Sequence, residues 1–131
     1  MMIVGIGIDV LEIPRMERVL VRSGRRFLDR VFTGEEQSSC EQAGGGAARW
    51  AARFAAKEAV FKALGTGWSR GVTWRQVEIL RSPEGPPRVR LTGVAGRLAR
   101  ARGVDVCHVS LTHERRQAAA LVVLESLGRT P

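Results

Sequence analysis

Two carboxylates and an ammonium are spaced in this 131-residue sequence so that they could handle a hard cation and a phosphoryl group. Glu58 and Lys62 lie four residues apart in Arg53-Phe54-Ala55-Ala56-Lys57-Glu58-Ala59-Val60-Phe61-Lys62-Ala63-Leu64-Gly65-Thr66-Gly67. The alanines, the straight-chain Lys and Glu and the Gly stop after Leu64 predict a helix. At 3.6 residues per turn, Phe54, Glu58 and Lys62 share one stripe, and Arg49, Arg53 and Lys57 share its neighbour. A carboxylate and an ammonium one turn apart, beside a second basic stripe, suit a metal ion and a polyphosphate lying along the helix. On its own, however, Glu58 reads first as an exposed helix former pairing with Lys62.

Asp9 supplies the second carboxylate. It falls near the end of the run Met2-Ile3-Val4-Gly5-Ile6-Gly7-Ile8-Asp9, whose alternation puts Val4, Ile6 and Ile8 on one face of a strand. An ionised carboxylate in such a strand is costly unless a cation or several donors compensate for it. Two readings stay open here. Asp9 turns the chain into the next helix, or it shares a divalent cation with Glu58. Two carboxylates completed by substrate phosphates and waters are a common way to hold Mg²⁺.

The elements that must position these groups can be read in order. A strand covers residues 2–9. A helix follows from 14 to about 30, opened by Pro14 and broken or kinked at Gly24. Thr33-x-x-Glu36 is a capping-box pattern opening a short helix to residue 43. Gly44-Gly45-Gly46 separates it from the long helix, 47–64. Residues 73–80 and 88–91 alternate like two strands joined by the turn-rich segment 82–87. A helix spans 94–102 and ends at Gly103; 106–112 and 118–125 form a closing antiparallel pair. This mixed order predicts one α+β domain over 1–131, a long central helix packed on an antiparallel sheet.

Lys plus Arg outnumber Asp plus Glu by 21 to 13, for a net charge of +8 and a sequence pI near 11.3. Such a surface attracts anions without choosing among them, and part of it is Arg on solvated helix faces. Nucleic acid is the poorer partner: four Phe, three Trp and no Tyr form no aromatic pair within a basic strand motif. The chain has no 18-residue apolar run and no signal-like start, so a cytoplasmic protein with no membrane partner is expected. Cys40 and Cys107 lack metal spacing and read as free thiols, and His108 and His113 show no ligand spacing either.

Four segments in order carry a family resemblance. They are Gly5-Ile6-Gly7-Ile8-Asp9-Val10-Leu11-Glu12-Ile13-Pro14-Arg15, Phe32-Thr33-x-x-Glu36, Arg53 through Gly67, and Val109-Ser110-Leu111-Thr112-His113. Together they resemble the bacterial holo-[acyl-carrier-protein] synthase family of small 4′-phosphopantetheinyl transferases. The resemblance implies transfer of phosphopantetheine from coenzyme A to a serine of apo-acyl carrier protein, with Mg²⁺ on Asp9 and Glu58. Lys62 takes the position of the active-site lysine, neutralising charge on the transferred group. Arg49, Arg53, Gly65 and Thr66 are expected to meet coenzyme A, with His108, Thr112 and His113 on a strand bordering the cofactor cleft. Arg15, Arg22, Arg26 and Phe27 on the first helix are expected to dock the carrier protein. A homotrimer with active sites between subunits also follows from the resemblance. The sequence departs from the family in the Gly44–Gly46 triplet and carries little family signature over 69–87. A Mg²⁺-dependent phosphohydrolase would use the same carboxylates and lysine, and stands as the alternative.

Overall fold

The computed structural model describes residues 1–66 and 71–128. A three-stranded antiparallel sheet is built from β1 (Met2–Glu12), β4 (Val106–His113) and β5 (Gln117–Ser126) in the order β1-β5-β4. β2 (Val77–Leu80) and β3 (Arg88–Leu91) make a separate antiparallel ribbon. The helices are α1 (Ile13–Arg22), α2 (Gly24–Val31), α3 (Gly34–Gln42), α4 (Ala47–Leu64) and α5 (Gly93–Ala101). The α+β class and the long helix over 47–64 are as expected from sequence. Among the described residues no helix is long and apolar enough to cross a membrane.

α4 is the axis of the structure. Ala51, Ala52, Ala55, Ala56, Ala59 and Ala63 are all buried along it, so neighbouring backbones can come close from several sides. β1 uses that closeness. A Cβ on Gly7 would lie 1.9 Å from the Ala59 carbonyl oxygen, and one on Gly5 2.3 Å from that of Ala63. The Gly-x-Gly of the first motif is therefore a packing device that seats β1 on α4. Gly7→Ala must separate two backbones, and we expect it to cost about 3 kcal/mol, read as a lower urea midpoint. Gly34→Ala, where a Cβ meets nothing within 4 Å, should stay within about 1 kcal/mol of the parent.

β1 differs from expectation in two ways. A register shift between Ile3 and Gly5 turns Val4 onto the core, away from the face shared by Ile6 and Ile8. That face points outward: Ile6, Ile8 and Val10 are 64%, 61% and 52% exposed, and Leu121 of β5 is exposed beside them. The strand also runs on past Asp9, because Val10, Leu11 and Glu12 keep their pairing with Ala119, Ala118 and Gln117. Gly24 (φ +44°) divides the expected 14–30 helix into α1 and α2. Residues 74–76, expected as strand, form a 3₁₀ turn capped by Thr73 and Gln76.

Candidate active site

Asp9 lies on the inner face of β1, in register with Ala120, where the strand passes α4. Lys62 reaches across from α4: its Nζ donates to Asp9 Oδ1 and to the Ile8 carbonyl, each at 2.9 Å. Glu58, one turn earlier, is half-buried. Burial raises the pKa of its carboxyl, the charge of Asp9 raises it further, and Lys62 and Arg15 oppose the shift. Asp9, Glu58, Lys62 and Arg15 thus form one electrostatic cluster assembled from β1, α1 and α4. Among the described residues no three His, Cys, Asp or Glu side chains converge. The cluster therefore offers two interacting carboxylates, with no third acidic, histidine or cysteine side chain beside them among the described residues.

Beside this cluster an apolar pocket of 120 Å³ is lined by Leu11, Arg15, Met16, Val19, Phe27 and Phe54. Phe54 stands one turn before Glu58 and joins an aromatic wall, 5.8 Å from Phe27 and 4.8 Å from Trp74 between ring centres. Arg15 and Phe27, both expected on a docking surface, therefore line this pocket together, and Arg15 also acts on Glu58 through its charge. Arg22 and Arg26 are exposed on α1 and α2.

The second basic stripe of α4 turns into the core after its first residue. Arg49 is exposed, but Arg53 is only 6% exposed, with its Nε buried and without a hydrogen-bond partner. Lys57 is fully buried. Its Nζ donates to Glu36 Oε1 at 2.8 Å and to the carbonyls of Trp74 (3.0 Å) and Val77. Burial pushes the Lys57 pKa down, and Glu36 works against that shift. Glu36 also accepts from the backbone N–H groups of Thr33 and Ile79, each at 2.9 Å. The capping box read from Thr33 and Glu36 is present, and the same glutamate is a buried counter-ion joining α3, α4 and β2. Glu78 extends the cluster. Burial opposes its ionisation, but Arg90 and Thr33 outweigh this and hold its pKa below the usual carboxylate range.

The remaining cofactor-binding candidates are divided between two surfaces. Gly65 closes α4 in the left-handed conformation (φ +76°), and Thr66 is buried; Gly67 lies outside the described residues. His108 and Thr112 stand on the outward face of the sheet, with Ser110 between them and Ile6, Ile8 and Val10 two strands away. His108 Nε2 lies 2.9 Å from Glu125 Oε1 on that face. His113 ends β4 on the opposite, inward face and is exposed. A single chain therefore does not bring His108 and Thr112 to Asp9 and Glu58. Sequence reading overlooked Arg102, whose guanidinium covers Gly65 where a Cβ would lie 3.1 Å from its Nη2. As one of several arginines near a helix end, it carries no distinguishing sequence signal.

Sequence and fold together match those of known proteins. The family model of the 4′-phosphopantetheinyl transferase superfamily matches residues 5–123, and the chain belongs to that superfamily. Within it, the chain is 44% identical to the holo-[acyl-carrier-protein] synthase of Koribacter versatilis over 124 residues, covering 95% of this chain and 99% of the relative. The crystal structure of the holo-[acyl-carrier-protein] synthase of Neisseria meningitidis superposes with a TM-score of 0.87 at 34% identity, over 95% of this chain and 100% of that one. The Bacillus anthracis synthase, solved in complex with CoA (3′,5′-ADP), gives a TM-score of 0.79 at 34% identity, over 96% of this chain and 99% of that one. The protein is thus an enzyme of the phosphopantetheinyl transferase class, as its motifs imply.

Proposed function

We propose that this cytoplasmic enzyme transfers 4′-phosphopantetheine from coenzyme A to a serine of apo-acyl carrier protein in fatty acid biosynthesis. The serine oxygen bonds to the pantetheine-side phosphorus and loses its proton to water, the bridging P–O bond breaks, and adenosine 3′,5′-bisphosphate leaves. The observation that carries this reading is the meeting of Asp9, Glu58 and Lys62 at the contact of β1 with α4. The relatives' names and the coenzyme A complex of the Bacillus anthracis synthase supply the substrates. Incubation with coenzyme A and apo-carrier protein, followed by intact mass, tests it. Addition of one phosphopantetheine group is expected; free hydrolysis of coenzyme A without addition would indicate the phosphohydrolase instead.

Asp9 and Glu58 fit Mg²⁺. They are adjacent oxygen donors, with Glu58 raised partly by the charge of Asp9, and they leave room for water and phosphate oxygens. When bound there, the cation supplies charge neutralisation on the pyrophosphate. Lys62 presents an exposed ammonium at the same spot, suited to the charge that shifts onto the leaving phosphate. Arg49, Arg53, Gly65 and Thr66 are proposed to meet coenzyme A from one subunit. His108, Thr112 and His113 are proposed to meet it from a second.

The open face of the sheet supports a homotrimer with shared sites. Ile6, Ile8, Val10 and Leu121 leave an apolar surface uncovered, next to His108 and Thr112. Ile8→Asp is expected to yield monomers by light scattering and to lower activity by at least about tenfold, since a carboxylate in an apolar interface goes unpaired. A fully active Ile8→Asp monomer would remove the shared site.

Arg15 and Arg22 are proposed to dock an acidic carrier protein. Charge pairs at an exposed rim mainly speed encounter and weaken with salt. Arg15→Glu and Arg22→Glu should each lower kcat/KM for carrier protein about tenfold at low salt and flatten its salt dependence. Affinity for coenzyme A should hardly change in Arg22→Glu. Unaltered carrier kinetics in both variants would place docking elsewhere.

A further inference from the structure

Lys62 is engaged by groups of the fold itself. Its ammonium is 2.9 Å from Asp9 Oδ1 and also holds the Ile8 carbonyl. Its side chain is 55% exposed while that of Asp9 is 14% exposed, so the lysine reaches in from solvent to cover a carboxylate set in the fold. Glu58 is treated differently: it has no hydrogen bond or ion pair to any described residue, although Lys62 follows it by one turn. The one ammonium in the cluster sits on the carboxylate that would otherwise be free to take a cation.

We propose that Lys62 is the place-holder for the divalent cation: it occupies Asp9 in the free enzyme, yields it to the incoming cation, and turns toward the substrate phosphate. This deepens the proposed function and rests on it in taking Asp9 as a ligand. Two positive charges on one carboxylate repel, so the cation must displace the ammonium to bind well. A lysine suits the exchange because it is a point charge on a flexible stem with rotatable donors. Its exposed position lets it leave without disturbing the core. Arg15 differs, since it acts on Glu58 through its charge and makes no ion pair with Asp9. The exchange keeps Asp9 compensated at every stage, which an apolar strand requires.

The test is calorimetric titration of Mn²⁺ alone, with no coenzyme A or carrier protein, into the parent protein, Lys62→Ala, Arg15→Ala and Asp9→Asn. Removing the competing ammonium should lower the Mn²⁺ Kd of Lys62→Ala about fivefold. Arg15→Ala should change it less than about twofold, and Asp9→Asn should weaken binding by at least about tenfold. Binding to Lys62→Ala that is no tighter than to the parent overturns the place-holder. An equal gain in Arg15→Ala overturns it too, because the effect would then be general charge removal. If Asp9→Asn binds Mn²⁺ as the parent does, the ligand assignment itself falls. Weakened Asp9→Asn with unchanged Lys62→Ala removes the exchange alone.

Discussion

Glu58→Gln and Asp9→Asn are each expected to lower phosphopantetheine transfer by about a hundredfold or more, with the fold intact. The two carboxylates come from different elements, meet where β1 crosses α4, and have no apolar packing role. Each amide keeps the shape of the group it replaces while removing the charge that a cation needs. Stability should not follow activity. Burial and the charge of Asp9 both push the Glu58 pKa up, so the ionised glutamate is disfavoured in the folded protein. Neutral Gln relieves that repulsion, and the melting temperature of Glu58→Gln should hold or rise. Steady-state kinetics with and without EDTA, beside thermal denaturation, separate the two effects. Turnover retained by either variant in EDTA would sink the role of the pair.

Lys57→Ala is expected to destabilise the protein by about 3–5 kcal/mol, the largest effect on folding that the structure suggests. Deletion leaves the Glu36 carboxylate buried beside the Trp74 and Val77 carbonyls without the ammonium that serves all three. The penalty arises from the orphaned partners more than from the pair's own worth. The double variant Lys57→Met, Glu36→Gln should therefore recover part of the loss, since no unpaired buried charge remains. Urea midpoints of the three proteins measure this directly. A Lys57→Ala variant as stable as the parent would show that the network is not needed. The coenzyme A KM of whatever folded fraction survives should be unchanged, because this lysine faces the core and not the cluster at Asp9.

Much of the site was legible in the sequence because local rules governed it. α4 was bounded by Ala47 and Leu64 since alanine propensity and a left-handed Gly65 act within a few residues. The stripe joining Phe54, Glu58 and Lys62 follows from helical period, and the Thr33–Glu36 capping box from a three-residue spacing. Asp9 was flagged because a charge in an apolar strand requires compensation. Its partner, Lys62, is 53 residues away in the chain.

What spacing does not contain is which way an element turns once it is packed. Arg49, Arg53 and Lys57 share a stripe by period alone, yet α4 is enclosed on nearly every side, so Lys57 became a core cation held by Glu36. One irregular pairing between Ile3 and Gly5 decided that Val4 faces inward while Ile6 and Ile8 face out. The same pleat put His108 and Thr112 on the far side of the sheet from Asp9. The sequence by itself determined the elements, their ends and the residue types of the site, because these depend on propensity, caps and period. The tertiary structure alone decided which charges are buried, which apolar face stays open and which lysine meets Asp9. Those outcomes depend on long-range pairing and close backbone packing, where Gly7 against Ala59 sets the distance across which the side chains meet.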